Sequence, residues 1–258
     1  MDWLRHSTIL SLLFTAGCAS ISGADRQLLL SASQDYQRGK HSTASHSLDA
    51  FLSKHPNAPE SAEAYYLRGL CRAQQDRPGP ALADLQNGLR LSRRPDLTAR
   101  IHAAAGSLHF DAGAYAQAAY HFASWRRSLP KDERLGEEIL YRHAASLQRD
   151  GRWDEARDRF DELLKLYPAG PRSADARRRR DWSSDAYSIQ CGAFSRKASA
   201  LTLVKRLKDA GFDARLTPEP RGEVSLQMVL VGRYPEYGDA CAALPLVQTV
   251  APDAIVVP

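Results

Sequence analysis

Small and large apolar positions recur through the first two thirds of the chain with a long, regular period. Four pairs of small residues, Ala32/Ala44, Gly69/Ala81, Gly106/Ala118 and Ala144/Ala156, are each separated by 12 positions, and their second members follow one another at 37, 37 and 38. Four residues after each second member stands a large apolar side chain: Leu48, Leu85, Phe122 and Phe160. Turn signals precede three of these stretches, at Gly39-Lys40-His41, Gly113-Ala114-Tyr115 and Gly151-Arg152-Trp153, and Pro56, Pro130 and Pro168 close three units. In the second unit Pro78-Gly79-Pro80 reads as the turn, with Pro80 an acceptable first helical residue, and Pro95 reads as a displaced closing proline. Two antiparallel helices cross closely only where each carries a small side chain. The large residue one turn later fills the space between neighbouring pairs, and proline ends the second helix. The pattern predicts helix pairs over residues 25–170, and Ala174, Ala176 and the run Arg177 to Arg180 predict a polar capping helix or linker over 171–184.

From Asp185 the period changes. Tyr187 to Phe194 alternates as a strand, with Tyr187, Ile189 and Cys191 on one face and Ser188 and Gln190 on the other. A helix follows, striped by Ala200, Leu203, Val204 and Leu207 and stopped at Gly211. Phe212 to Leu216 predicts a second strand, Pro218 to Gly222 a turn-rich link, and Val224 to Val231 a third strand. Glu236 to Val250 predicts a second helix, bent or interrupted at Pro245, and Ala254 to Val257 a fourth strand. The order βαββαβ predicts a ferredoxin-like layer with helices on one sheet face and the other face open.

The spaced small residues, the large residue one turn on and the closing prolines resemble the tetratricopeptide repeat, with loops longer than its usual period of about 34. Such arrays carry no chemistry and offer a concave surface for peptides or partner proteins. The C-terminal motifs resemble the SPOR domain: Tyr187-Ser188-Ile189-Gln190-Cys191-Gly192-Ala193-Phe194, then Gly211-Phe212-Asp213-Ala214, then Val229-Leu230-Val231-Gly232-Arg233-Tyr234. The expected fold class is therefore α + β and multidomain, a helical solenoid followed by a ferredoxin-like domain over 185–258. The resemblance implies binding to peptidoglycan glycan strands that have lost their stem peptides, and for many members concentration at division septa. It places Gln190 on the open face, with Ser188, Ala193, Leu226, Met228 and Arg233 as the other glycan-contact positions. Ala193 stands where Ser is common, Met228 where many members have Arg, Leu226 where an aromatic is sometimes found, and Arg233 where Pro is common. Leu226, Met228 and Leu230 would make that face unusually apolar, either a floor for sugar rings or a protein contact.

Charge and cysteines narrow the function. The net charge of +5 is not concentrated in a folded part: residues from Ser184 onward hold eight Lys/Arg against eight Asp/Glu. Nucleic acid is therefore not an expected partner, since it requires clustered cations. At the N-terminus Met1 to His6, the apolar run Ile9 to Phe14 and Thr15-Ala16-Gly17-Cys18 read as a signal peptide over 1–17. Its end resembles a bacterial lipobox, which implies a lipid on Cys18 and, with Ala19 following, an outer-membrane anchor facing the periplasm. Thr15 and Asp2 depart from that pattern. Cys191 and Cys241 are a possible disulfide in an oxidising compartment. His102, His109, His121 and His143 show no metal-ligand spacing and read as scattered surface or partly buried side chains. No nucleophile, metal or phosphate-loop motif appears, so neither an enzyme nor a cofactor is expected. Two functions remain: a wall-binding tether that recruits partners, or a scaffold for outer-membrane assembly in which the C-terminal domain is an interaction module.

Overall fold

A computed structural model describes residues 21–129, 136–182, 184–221 and 224–258. The expected signal segment, Cys18 and Pro130 lie outside the described residues. The chain divides into two compact units between Ser146 and Leu147.

The first unit holds α1 (Gly23–Gln37), α2 (His41–Lys54), α3 (Ser61–Gln74), α4 (Pro78–Leu91), α5 (Pro95–Asp111), α6 (Tyr115–Ser128) and most of α7 (Glu137–Arg149). The small residues lie at close crossings, as predicted. A methyl group on Gly69 would stand 3.2 Å from the Ala81 carbonyl and the Leu85 side chain, and one on Gly106 would stand 2.8 Å from the Phe122 ring. Ala32, Ala44, Ala81 and Ala118 are buried, and so are Leu48, Leu85 and Phe122. Leu85 and Phe122 lie against the glycine of their own helix pair, not only between neighbouring pairs as expected.

Gly39 and Gly113 have φ of +76° and +75°, and Gly151, in the second unit, has +77°. The second repeat reaches the same left-handed turn with Asp76, at φ +57°. Its turn is therefore not made by Pro78-Gly79-Pro80: Pro78 already begins α4, where a missing amide hydrogen costs nothing. Pro95 likewise opens α5 instead of closing α4, which ends at Leu91. Asp84, 2% exposed, is held by Arg68 through two hydrogen bonds of 2.9 and 2.6 Å and by Arg72 at 2.8 Å. Burial of that carboxylate requires these partners, and together they bind α3 to α4.

The second unit contains α8 (Trp153–Leu166), α9 (Ser173–Arg180), β1 (Tyr187–Phe194), α10 (Lys197–Asp209), β2 (Ala214–Arg221), β3 (Val224–Tyr234), α11 (Tyr237–Gln248) and β4 (Ile255–Val257). It begins at Leu147, well before the change of sequence period at Asp185. In α9, Ala176 is buried and the arginines are engaged: Arg178 and Arg179 with Asp175, Arg180 with Asp161 and Asp181, and Arg177 with the Pro168 carbonyl. The run is thus a paired helix face.

The sheet order is β2-β3-β1-β4, and the neighbouring strands are antiparallel. Helices α10 and α11 cover one face, burying Ile189, Cys191, Val229 and Val231 against Ala200, Val204, Leu207 and Val247. Pro218 and Pro220, expected in a link, belong to β2, which pairs with β3 as far as Arg221↔Val224. They are two residues apart on an edge strand, so their nitrogens face the same way and need not break a ladder bond. Helix α11 runs on through Pro245.

Candidate functional site

The sheet face opposite the helices carries the expected site residues. In register across it lie Ile255 on β4, Gln190 on β1, Leu230 on β3 and Arg215 on β2. A second row holds Ala193, Met228 and Thr217. Ala193 reaches this face because of a bulge between Gln190 and Gly192, which puts both Cys191 and Gly192 on the helix side. A methyl on Gly192 would stand 2.7 Å from the Phe194 ring, so this bulged position suits glycine.

The face differs from the expected apolar floor. Met228 and Leu230 are 5% and 2% exposed, and Ser188 is 1% exposed. The reason at Leu230 is Arg215. This side chain extends from β2 across β3, where Nη1 donates to the Gly232 carbonyl at 2.6 Å and Nη2 to Ser188 Oγ at 2.7 Å. Ser188 Oγ itself donates to the Gly232 carbonyl at 3.0 Å. Ser188, expected to touch sugar, is thus a buried link in the sheet. Gln190 and Leu226 are half-buried, Ala193 and Arg233 are exposed, and Ile255 is 55% exposed. Gln190, Ala193 and Ile255 are therefore the accessible part of these two rows, with Arg215 beside them. Sequence reasoning missed Arg215, although a signal existed. Ala214 points to the core, so strand alternation sends Arg215 to the other face.

Away from this face, β1 is anchored to the helices before it. The Tyr187 ring lies 5.0 Å from Trp153 and 5.2 Å from Tyr237, and its hydroxyl donates to the Gln148 carbonyl at 2.6 Å. Arg149 stacks over Tyr237 at 4.7 Å, and Trp182 Nε1 donates to the Ala186 carbonyl at 3.1 Å. Sequence alternation placed Tyr187 on the inner face, and its partners there are aromatic side chains from residues 149–182 as well as from α11.

The cysteine expectation is corrected. Cys191 and Cys241 are free, as is Cys71. Cys191 is buried under the helices, whereas Cys241, which follows the buried Ala240 on α11, is half-buried. Burial pushes the Cys71 thiol up to about 12 and the Cys191 thiol to about 11, far from reactive thiolates.

Three of the four histidines, His102, His109 and His121, are clustered instead of scattered. His102 Nδ1 and His121 Nδ1 are 3.0 Å apart, and the His109 ring stacks on His121 at 5.3 Å. Burial lowers the basicity of all three. For His121 the neighbouring His102 and His109 add to the effect, and its pKa falls to about 4. Among the described residues, no group of three or more His, Cys, Asp or Glu is placed to hold a metal ion, and no helix is long and apolar enough to cross a membrane.

Residues 183–258 match the SPOR domain family, and residues 29–90 and 138–169 match tetratricopeptide repeat families. A solved tetratricopeptide repeat protein from Parabacteroides merdae superposes with a TM-score of 0.53 at 18% identity, over 62% of this chain and 60% of that one. This chain thus spans less than two thirds of that protein. YrrB, described as a TPR protein with an unusual peptide-binding site, gives 0.50 at 19% identity over 59% of this chain and 72% of its own. MamA (MSR-1) gives 0.50 at 16% identity over 62% and 84%. These likenesses speak for the helical-repeat fold alone. No curated protein sequence matches the chain. The repeats and the C-terminal sheet each belong to a family of binding modules, and the chain is a tetratricopeptide-repeat protein with a C-terminal SPOR domain.

Proposed function

We propose that the protein is a non-enzymatic tether of the bacterial envelope. Its SPOR domain holds peptidoglycan glycan strands stripped of stem peptides, and its repeats recruit a protein partner. The observation that carries this reading is the SPOR match over 183–258. The accessible sheet face supports it. The Gln190 amide offers both donors and an acceptor, suited to sugar hydroxyls and acetamido groups, beside the apolar surface of Ile255. Repeats of this kind present helix surfaces to peptides, and the YrrB structure is described by such a site. In this reading Cys18 carries a lipid, the protein faces the periplasm from the outer membrane, and its place of work is the septum or the company of wall-remodelling enzymes.

Co-sedimentation of the full chain with intact and amidase-treated glycan tests the proposal. Binding is expected on the treated strands, weakened by about 5–10-fold in Gln190→Ala through loss of one or two neutral hydrogen bonds. Absence of the chain from both pellets, with protein partners still co-purifying, would instead favour an assembly scaffold whose SPOR domain contacts protein.

A further inference from the structure

Arg215 stands on the face of Gln190 under unusual constraints. Both of its hydrogen-bond acceptors, the Gly232 carbonyl and the Ser188 hydroxyl, are uncharged. Among the described residues, no carboxylate forms an ion pair with it. The guanidinium is half-buried, and two bonds from two different nitrogens fix its plane. A guanidinium carries five N–H donors, so three remain for a ligand. A partly desolvated, oriented cation without a counter-ion is arranged to receive an anion, and its planar fork matches a carboxylate.

Its position limits which anion. The contact with Ser188 brings the guanidinium to β1, two residues along the strand from Gln190, a separation of about 7 Å. A single amino sugar can bridge that distance. In register with Arg215 stand the uncharged Leu230, Gln190 and Ile255; its charged neighbours are Asp213, two residues before it, and Arg233, next to the Gly232 whose carbonyl it holds. A sugar carrying one acidic substituent fits this combination better than a polyanion, which would require several cations.

We infer that Arg215 receives the lactyl carboxylate of muramic acid, the group released when the stem peptide is cleaved from the glycan. This rests on the glycan-binding reading above and deepens it. In a peptide-bearing strand the same carbon is an amide, with no charge and a single acceptor oxygen. Arg215 therefore makes the preference for stripped strands electrostatic: the domain senses the carboxylate that cleavage creates as well as the absence of the peptide.

The test uses muramic-acid-containing oligosaccharides in two forms, with free lactyl carboxylates and with those groups converted to methylamides. Binding of the full chain is measured by isothermal titration. The wild-type chain is expected to bind the free acid about tenfold more tightly than the methylamide, a preference that shrinks as salt rises. Arg215→Met, which keeps the aliphatic stem over Leu230, is expected to bind both forms equally, near the wild-type affinity for the methylamide. Arg215→Lys is expected to restore part of the preference. Equal wild-type affinity for both forms would overturn the carboxylate assignment and leave glycan binding standing. Persistence of the preference in Arg215→Met would assign it to another cation and overturn the role of Arg215. Wild-type failure to bind either form would remove the glycan reading and this inference together. The wild-type comparison alone decides the carboxylate question if Arg215→Met does not fold.

Discussion

Removal of the helices that precede the sheet is expected to take away a large part of the SPOR domain's stability. Tyr187 is 1% exposed and Ala240 0%, in one cluster with Trp153, Trp182 and Tyr237. A chain that starts at Ser184 keeps Tyr187, Tyr237 and Ala240 but loses both tryptophans and the Gln148 carbonyl that accepts from the Tyr187 hydroxyl. An aromatic side chain buries about 150–250 Å². Return of half of Tyr187 to water, about 100 Å² at ~25 cal/mol per Å², costs about 2.5 kcal/mol. The ring pair at 5.0 Å contributes about 1 kcal/mol and the hydrogen bond about 1 kcal/mol more. The sum, about 4–5 kcal/mol, compares with roughly 4–11 kcal/mol for an entire domain of about 75 residues. Urea unfolding of fragments 147–258 and 184–258, followed by far-ultraviolet circular dichroism, checks this. With m of about 1 kcal/mol/M, the shorter fragment should unfold about 4–5 M earlier or be unfolded without urea. Midpoints within about 0.5 M of each other would refute the reasoning.

Three further outcomes are expected. Gly106→Ala should destabilise the first unit by about 1–3 kcal/mol despite alanine's better helix propensity, because the added methyl meets the Phe122 ring at 2.8 Å; a lowered Tm is the readout. Asp76→Gly should stabilise the first unit by up to about 1 kcal/mol, read as a small rise in Tm, since glycine takes φ +57° without the cost a side chain bears. Acid should loosen the third repeat. Burial holds the folded pKa values of His102, His109 and His121 below the unfolded 6.5, so their contribution is complete above pH 6.5 and is lost as pH falls towards the value of about 4 for His121. Urea midpoints across that window should fall for the wild-type chain and vary less for His121→Leu; an equally steep fall in the variant would discard the explanation.

The repeat scaffold was legible because its signal is steric and periodic. Gly69, Gly106 and Ala118 occupy positions where a larger side chain would collide, and that constraint leaves a mark at fixed spacing. The four strands and two helices of the SPOR domain were legible from alternation. Asp76 carries no such mark, because glycine is the usual sign of a left-handed turn and an aspartate here satisfies the same backbone. The extent of β2 is not legible in the sequence because proline ordinarily punctuates a strand, a rule that fails on an edge strand. The candidate site was half visible. Gln190 falls on the accessible face, but sequence does not tell how far a long side chain reaches, so the covering of Leu230 by Arg215 emerged only in three dimensions. The histidine cluster was hidden for a related reason: His121 lies on a different helix from His102 and His109, and spacing along one helix says nothing of it.

The prolines of β2 have a consequence beyond their own strand. A β-sheet with a free margin invites strands from neighbouring molecules. On one margin Pro218 and Pro220 remove two of the amide donors that an incoming strand would need, and on the other β4 offers three residues, Ile255–Val257. Lateral growth of the sheet is thus discouraged at both borders, which leaves the broad face as the place where a ligand can settle.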